Sequence, residues 1–204
     1  MIAIIDYDAG NIGSVEKALD FLGEKTIVTE DPVKILNADG VILPGVGAFG
    51  GAMARLRARG LEEVIRKCVD REIPFLGICL GQQLLFESSE ESPGVKGLHI
   101  LDGKVMRIPA QEGLKVPHMG WNDLQFPRQG RLFEGLPDHT SVYFVHSYYL
   151  RAGEEQVVTA RAEYGLMIDA SVEKGNVFGC QFHPEKSADA GLQILRNFIR
   201  VTKG

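Results

Sequence analysis

Cysteine is scarce in this chain: only Cys68, Cys79 and Cys180 occur among 204 residues. The odd number and the lack of a C-x-x-C pair exclude a disulfide framework and point to a reducing compartment. Basic charge is also short. Lysine and arginine number 22 against 27 aspartates and glutamates, giving a formal net charge of −5 and a pI near 5.6, whereas a nucleic-acid binder carries a basic footprint. No apolar run approaches the ~18 residues that a membrane span needs. The first apolar run, Ile2-Ala3-Ile4-Ile5, is followed at once by Asp6 and Asp8, so no signal peptide is expected and the cytoplasm is the expected location. Repeats, low-complexity tracts and linkers are missing too. One domain over residues 1–204 is expected, large enough for a substantial core.

Glycine, by contrast, is plentiful. The 24 glycines exceed the usual share of about 7%, and many stand just after predicted strands. Residues 2–5 form a continuous apolar run of the kind buried on both faces of a sheet. A helix follows with Ile12, Val15, Leu19 and Leu22 on one face and Gly23 at its end. Residues 26–28, 41–43 and 75–78 read as further strands, and 52–71 as a helix interrupted near Gly60. This alternation predicts an α/β fold with a mostly parallel central sheet flanked by helices. After about Glu87 the runs become short and turn-separated: 104–108, 142–146, 157–161, 167–172 and 177–181. They predict antiparallel additions to that sheet. A last helix over 188–201 keeps Leu192, Leu195, Phe198 and Ile199 together. In such folds the functional site lies at the C-terminal ends of the strands.

Two motifs carry chemistry. Gly77-Ile78-Cys79-Leu80-Gly81 places a cysteine between an apolar strand and a helical run, with glycines two residues to either side. A tight strand-to-helix turn of this kind exposes a nucleophile, and the small flanking residues let strand and helix approach closely. The sulfur then sits at a helix N-terminus, where backbone N–H groups favour a thiolate and an oxyanion. The second motif is His183-Pro184-Glu185. The proline biases His183 to an extended conformation. In an extended segment His183 and Glu185 project to the same side, so the carboxylate can orient the imidazole that activates Cys79. Either motif alone is usually structural. Together, each at the end of a predicted strand, they describe cysteine-histidine-acid acyl transfer.

With these motifs the chain resembles the class I, triad-type glutamine amidotransferases. Further segments resemble the glutaminase-subunit family of imidazole glycerol phosphate synthase, which serves histidine biosynthesis. These are Asp6-Tyr7 with Gly10-Asn11, Pro44-Gly45-Val46-Gly47-Ala48-Phe49, Pro117-His118-Met119-Gly120-Trp121-Asn122, and the stretches 77–86, 143–149 and 179–187. The resemblance runs nearly end to end. It implies hydrolysis of glutamine to glutamate and ammonia through a thioester on Cys79, with His183 as acid/base and Glu185 as its orienter. It also implies an oxyanion hole from Leu80 N–H and a backbone N–H of the 44–47 loop at Val46 or Gly47. Gly47, Gln83, Glu91, Ser147 and Tyr148 align with positions that hold glutamine. No cofactor is implied. The implied partner is a cyclase subunit, a (β/α)₈ barrel that receives the ammonia, and Asn11, Trp121, Tyr143 and Lys186 are expected to face it. Gln82 stands where methionine is common in the family, and Gly13 where arginine is frequent.

The remaining residues have plainer readings. Cys180 and His183 have C-x-x-H spacing, but strand alternation puts Cys180 opposite Gln181 and His183, so no metal is expected. Cys68 and Cys180 are expected in the core, and His118 and His146 as hydrogen-bonding structural histidines. Trp121, in what reads as a Pro/Gly-rich turn, fits either core or interface by composition. No G-x-x-x-x-G-K-[ST] is present, so the glycines of the 44–47 loop are not a Walker phosphate cradle. A regulatory relative without catalysis would show a damaged triad, and all three members are present. Partnership with an anthranilate or guanylate synthase is disfavoured by the 117–122 block. A stand-alone cysteine hydrolase of the same fold is the remaining alternative.

Overall fold

The computed structural model describes residues 1–8 and 10–204. Its core is a seven-stranded sheet. In chain order the elements are β1 (Ile2–Ile5), α1 (Ile12–Phe21), β2 (Thr26–Thr29), α2 (Pro32–Leu36), β3 (Gly40–Leu43), α3 (Phe49–Ala58), α4 (Leu61–Asp70), β4 (Phe75–Ile78) and α5 (Leu80–Leu84). After these come β5 (Ser88–Ser89), β6 (Gly103–Arg107), β7 (His118–Leu124), β8 (Thr140–His146), β9 (Tyr148–Ala152), β10 (Val158–Glu163), β11 (Met167–Lys174), β12 (Val177–Cys180) and α6 (Ala188–Thr202).

The sheet order is β10-β11-β12-β4-β3-β1-β2. Five strands, β2, β1, β3, β4 and β12, are parallel, and β11 and β10 add antiparallel beyond β12. Side chains of β1 alternate between two cores: Ala3 and Ile5 pack beneath residues of α3 and α4, whereas Ile2 and Ile4 pack beneath α1 and α6. Burial on both faces is why these strands are continuous apolar runs.

Two expectations change here. The 177–181 run is a parallel member of the sheet, not an antiparallel addition, because the chain returns beside β4 before α6. The runs at 104–108 and 142–146 leave the central sheet altogether. β6 pairs with β5 and β9, and β7 with β8, in two small separate sheets. Short alternating strands carry no signal for which sheet they join. β1 to β4, α1 and α6 lie close to the expected spans, and α3 and α4 break at Gly60, which takes a left-handed conformation at φ 66°, whereas α2, β5, β7 and β9 form where no helix or strand was expected.

Candidate active site

The site forms where β1, β3, β4 and β12 end side by side. Register partners Leu43↔Gly77 and Ile78↔Cys180 bring the 44–47 loop, Cys79 and the 181–185 segment together. Cys79 has φ 53° and ψ −109°, a conformation that a side chain adopts only when its surroundings enforce it. The enforcement is visible in the flanking glycines. A Cβ on Gly77 would lie 2.7 Å from backbone atoms of Gly81 and Gln82, and one on Gly81 would lie 1.8 Å from the Leu43 carbonyl oxygen. Leu80 is the first residue of α5, so its N–H has no acceptor within the helix and faces the space before it.

His183 lies at the start of a 3-10 turn, Pro184–Lys186, with φ −102° and ψ 96°. Its Nδ1 is 2.6 Å from Glu185 Oε1, and both side chains are sealed from solvent. The expected pairing is therefore present, but a tight turn makes it, not an extended strand; proline at the first position of the turn favours that winding. The backbone of His183 is clamped as well. Its N–H donates to Tyr143 O at 2.9 Å, and its carbonyl accepts from Ser187 Oγ at 2.6 Å. Among the described residues, His183 Nε2 has no hydrogen-bond partner. Burial works against a charge on His183, but the neighbouring Cys79 and then Glu185 overcome it, and the imidazole is raised to about 9. A histidine so raised is set up to hold its proton as imidazolium at neutral pH.

A cavity of about 420 Å³ opens on the sulfur, lined by Val46, Gly47, Cys79, Leu80, Gln83, Glu91, Pro117, Val145, His146, Ser147 and Tyr148. Every residue expected to hold glutamine or its oxyanion is on that wall. Gln83 Nε2 donates to Tyr148 O at 3.0 Å and to Gln181 Oε1 at 2.9 Å. Glu91 accepts from Phe49 N–H at 2.8 Å, which ties the wall to the start of α3. Tyr7 donates its hydroxyl to Pro44 O at 2.8 Å. A Cβ on Gly45 would lie 2.4 Å from that hydroxyl, so glycine at 45 is also required by packing.

Trp121, Tyr143 and Lys186 stand outside the cavity. Trp121 is 55% exposed and Met119 61%, and the indole meets Tyr143 edge-on at 6.1 Å. Trp121 therefore lies on strand β7, where a turn was expected, and it is not a core residue. Asn11 turns inward: Nδ2 donates to Glu185 Oε1 and lies 3.4 Å from His183 Nδ1. Its contact with the triad was not legible from its place in a loop. Gln181, His146, Pro117 and Val145 were also missed as site residues. For Gln181 a signal existed, since strand alternation puts it on the same side as His183. Cys68 and Cys180 are fully buried, as expected, and burial pushes both thiols up, Cys68 to about 11.

The model of the glutamine amidotransferase class-I family matches residues 3–201. The chain is 58% identical over 202 residues to the imidazole glycerol phosphate synthase subunit HisH of Moorella thermoacetica, covering 99% of this chain and 95% of that protein. It is 49% identical over 203 residues to the protein of the same name from Methanothermobacter thermautotrophicus, covering 100% of both. Among solved structures, a crystal structure of glutamine amidotransferase superposes with a TM-score of 0.78 at 22% identity, covering 100% of both chains, a likeness of fold. The chain belongs to the class I glutamine amidotransferase family.

Proposed function

We propose that this chain, one glutamine amidotransferase domain over residues 1–204, is the glutaminase subunit of imidazole glycerol phosphate synthase. It hydrolyses glutamine to glutamate and ammonia and passes the ammonia to a cyclase subunit. One observation carries the reading: a cysteine held at positive φ before a helix, beside a buried imidazolium-forming histidine, at the floor of a cavity that fits an amino acid. The full-length likeness to subunits of that name directs it to this synthase. In the first step the Cys79 thiolate attacks the γ-amide carbon, and the carbonyl oxygen takes up negative charge. Leu80 N–H and an N–H of Val46 or Gly47 stabilise that oxygen, each donor contributing about 3 kcal/mol in comparable sites. His183 gives its proton to the departing nitrogen, so ammonia leaves and a γ-glutamyl thioester remains. His183, now neutral, takes a proton from water, the hydroxide attacks the thioester, and glutamate departs from the restored thiolate.

The acceptor of ammonia is a second chain, a (β/α)₈ barrel in this reading, seated on the face that carries Trp121, Tyr143 and Lys186, with half-buried Asn11 between that face and the triad. Rotation of the Gly45–Val46 peptide, aiming Val46 N–H toward or away from the oxyanion, would couple hydrolysis to occupancy of the partner. Among the described residues no helix is long and apolar enough to cross a membrane, and the cytoplasm, where free thiols stay reduced, suits the reaction. The test is a glutaminase assay of the purified chain with and without the cyclase subunit and its nucleotide ligand. Stimulation by the loaded partner is expected. Glutamine hydrolysis indifferent to the partner would favour a stand-alone hydrolase.

A further inference from the structure

Cys79 Sγ has a second neighbour besides the triad. Gln181 Nε2 lies 3.6 Å from the sulfur, and the whole Gln181 side chain is buried. Which end of that amide faces the sulfur is fixed by a chain of hydrogen bonds that can be read from backbone groups. Tyr148 O is a carbonyl and can only accept. It accepts from Gln83 Nε2 at 3.0 Å, and the other hydrogen of the same nitrogen goes to Gln181 Oε1 at 2.9 Å. With its oxygen committed to Gln83, Gln181 has only its NH₂ left for the sulfur.

The same carbonyl also receives His146 Nδ1 at 2.8 Å, so that nitrogen must carry the proton and His146 Nε2 must accept. His118 Nδ1, 2.9 Å from His146 Nε2, is then the donor, and His118 Nε2 is an acceptor. At the far end stands Asn122, whose amide is oriented by two backbone groups. Its Oδ1 accepts from Asp123 N–H at 2.8 Å, and its Nδ2 donates to Glu163 O at 2.8 Å. The remaining hydrogen of Nδ2 points to His118 Nε2 at 3.3 Å. The polarity deduced from Tyr148 O and the polarity deduced from Asn122 agree. The ring of His118 is held between Tyr164 and Phe144, at centroid distances of 3.9 and 4.6 Å. Burial lowers His118 to about 4 and His146 to about 3, so both stay neutral, as the chain requires.

We infer that Gln181 is a catalytic residue of this site, a hydrogen-bond donor to the Cys79 sulfur. The Tyr148 carbonyl fixes the orientation of its amide: it accepts from Gln83, whose other amide hydrogen goes to Gln181 Oε1, while a second arm from Asn122 on the β7–β8 hairpin through His118 and His146 donates to the same carbonyl. The donor stabilises the thiolate before attack and when it is regenerated. The chain also leaves Gln83 Oε1, not its NH₂, free for the cavity, where it suits the α-ammonium of an amino acid. The hairpin that bears Trp121 is thereby joined to the nucleophile by continuous hydrogen bonds.

This inference rests on Cys79 being the nucleophile, and the test separates the two. Alkylation of Cys79 by iodoacetamide is followed against pH in the full chain bound to its cyclase subunit, with the labelled peptide identified by mass spectrometry. In Gln181→Met the alkylation profile should move to higher pH by about 1 unit, near tenfold in thiolate at a given pH, and kcat should fall more than KM rises. An unmoved profile in a Gln181→Met protein that melts like the unaltered chain would overturn the donor role. Absence of both alkylation and glutaminase activity in the unaltered chain would instead sink the nucleophile assignment. Should Gln181→Met fail to fold, the side-chain amide itself decides: in ¹H–¹⁵N spectra the Gln181 NH₂ signal should shift on Cys79→Ala, and an NH₂ signal indifferent to loss of the sulfur overturns the donor role.

Discussion

Gly81 and Leu43 touch so closely that a Cβ on Gly81 would sit 1.8 Å from the Leu43 carbonyl oxygen. That contact locks the end of β3, and hence the 44–47 loop, against the first turn of α5. In the proposed mechanism, the distance from Cys79 to the oxyanion donors therefore depends on a missing side chain. Gly81→Ala must push backbone against backbone, and overpacking of this kind costs about 3 kcal/mol or more. A urea titration should show that loss together with collapse of glutaminase activity. A Gly81→Ala protein of native stability would mean the strand and helix can separate freely.

The acid/base residues should fail unequally. In the proposed cycle His183 transfers every proton, whereas Glu185 only orients and polarises it. In Glu185→Gln the amide oxygen can still accept from His183 Nδ1 and Asn11 Nδ2, so geometry survives and charge is lost. By analogy with hydrolase triads, His183→Ala should cost roughly 10⁶ in kcat and Glu185→Gln roughly 10⁴. Single-turnover thioester formation measures both. Equal losses would show that Glu185 does more than orient.

Much of this site was legible in the chain because its parts are local. The elbow is five consecutive residues, the acid lies two residues from the base, and strand ends converge by the topology of a parallel sheet. What escaped is non-local. Asn11 reaches Glu185 across 174 positions and Gln83 reaches Gln181 across 98, and an amide in a sequence gives no hint of its partner. The same limit hid the separate β7–β8 sheet, since Val142 and Phe144 alternate as they would in any strand with one buried face. Pro184 was read as extending the backbone at His183, which it does, but it also opens the 3-10 turn that brings Glu185 back.

Stability should depend on pH through His183. Its folded value of about 9 lies above its ordinary 6.5, so the folded protein holds this proton more tightly than the unfolded chain. The resulting stabilisation is fully present below about pH 6.5 and is lost as pH rises through about 9. Denaturant midpoints should fall across that window. Cys79→Ala removes the larger of the two partners that raise the imidazole, so its midpoint should fall less steeply. Parallel pH profiles for the two proteins would show that the thiolate does not hold the proton.

Trp121 faces Tyr143 across the β7–β8 pair and leaves 55% of its surface in solvent. A large exposed aromatic beside exposed Met119 is the composition of an interface anchor. Tyr143 in turn accepts the backbone N–H of His183, so pressure on this face reaches the base directly. Trp121→Ala should leave the melting temperature of the free subunit nearly unchanged and weaken binding to the cyclase subunit by roughly 10- to 100-fold. Calorimetric titration and the ratio of glutamine consumed to product formed would measure this. Native affinity and tight coupling in the variant would move the partner to another face.

Gln82 offers a test in the opposite direction, a substitution that should stabilise. Its side chain is fully buried in the first turn behind Cys79, and among the described residues neither its amide nitrogen nor its amide oxygen has a hydrogen-bond partner. A buried amide without partners costs about 1–3 kcal/mol. Methionine has similar length, no polar atoms to satisfy and enough flexibility to fit beside Gly179, where the glutamine chain already crowds the space a Cβ would occupy. Gln82→Met should therefore add about 1–2 kcal/mol, which for a chain of this size corresponds to a few degrees in Tm. Because Cys79, His183 and Glu185 keep their contacts, glutaminase activity with the partner should stay near its original level. A lower Tm in Gln82→Met would mean that water enters beside Gln82 and satisfies its amide.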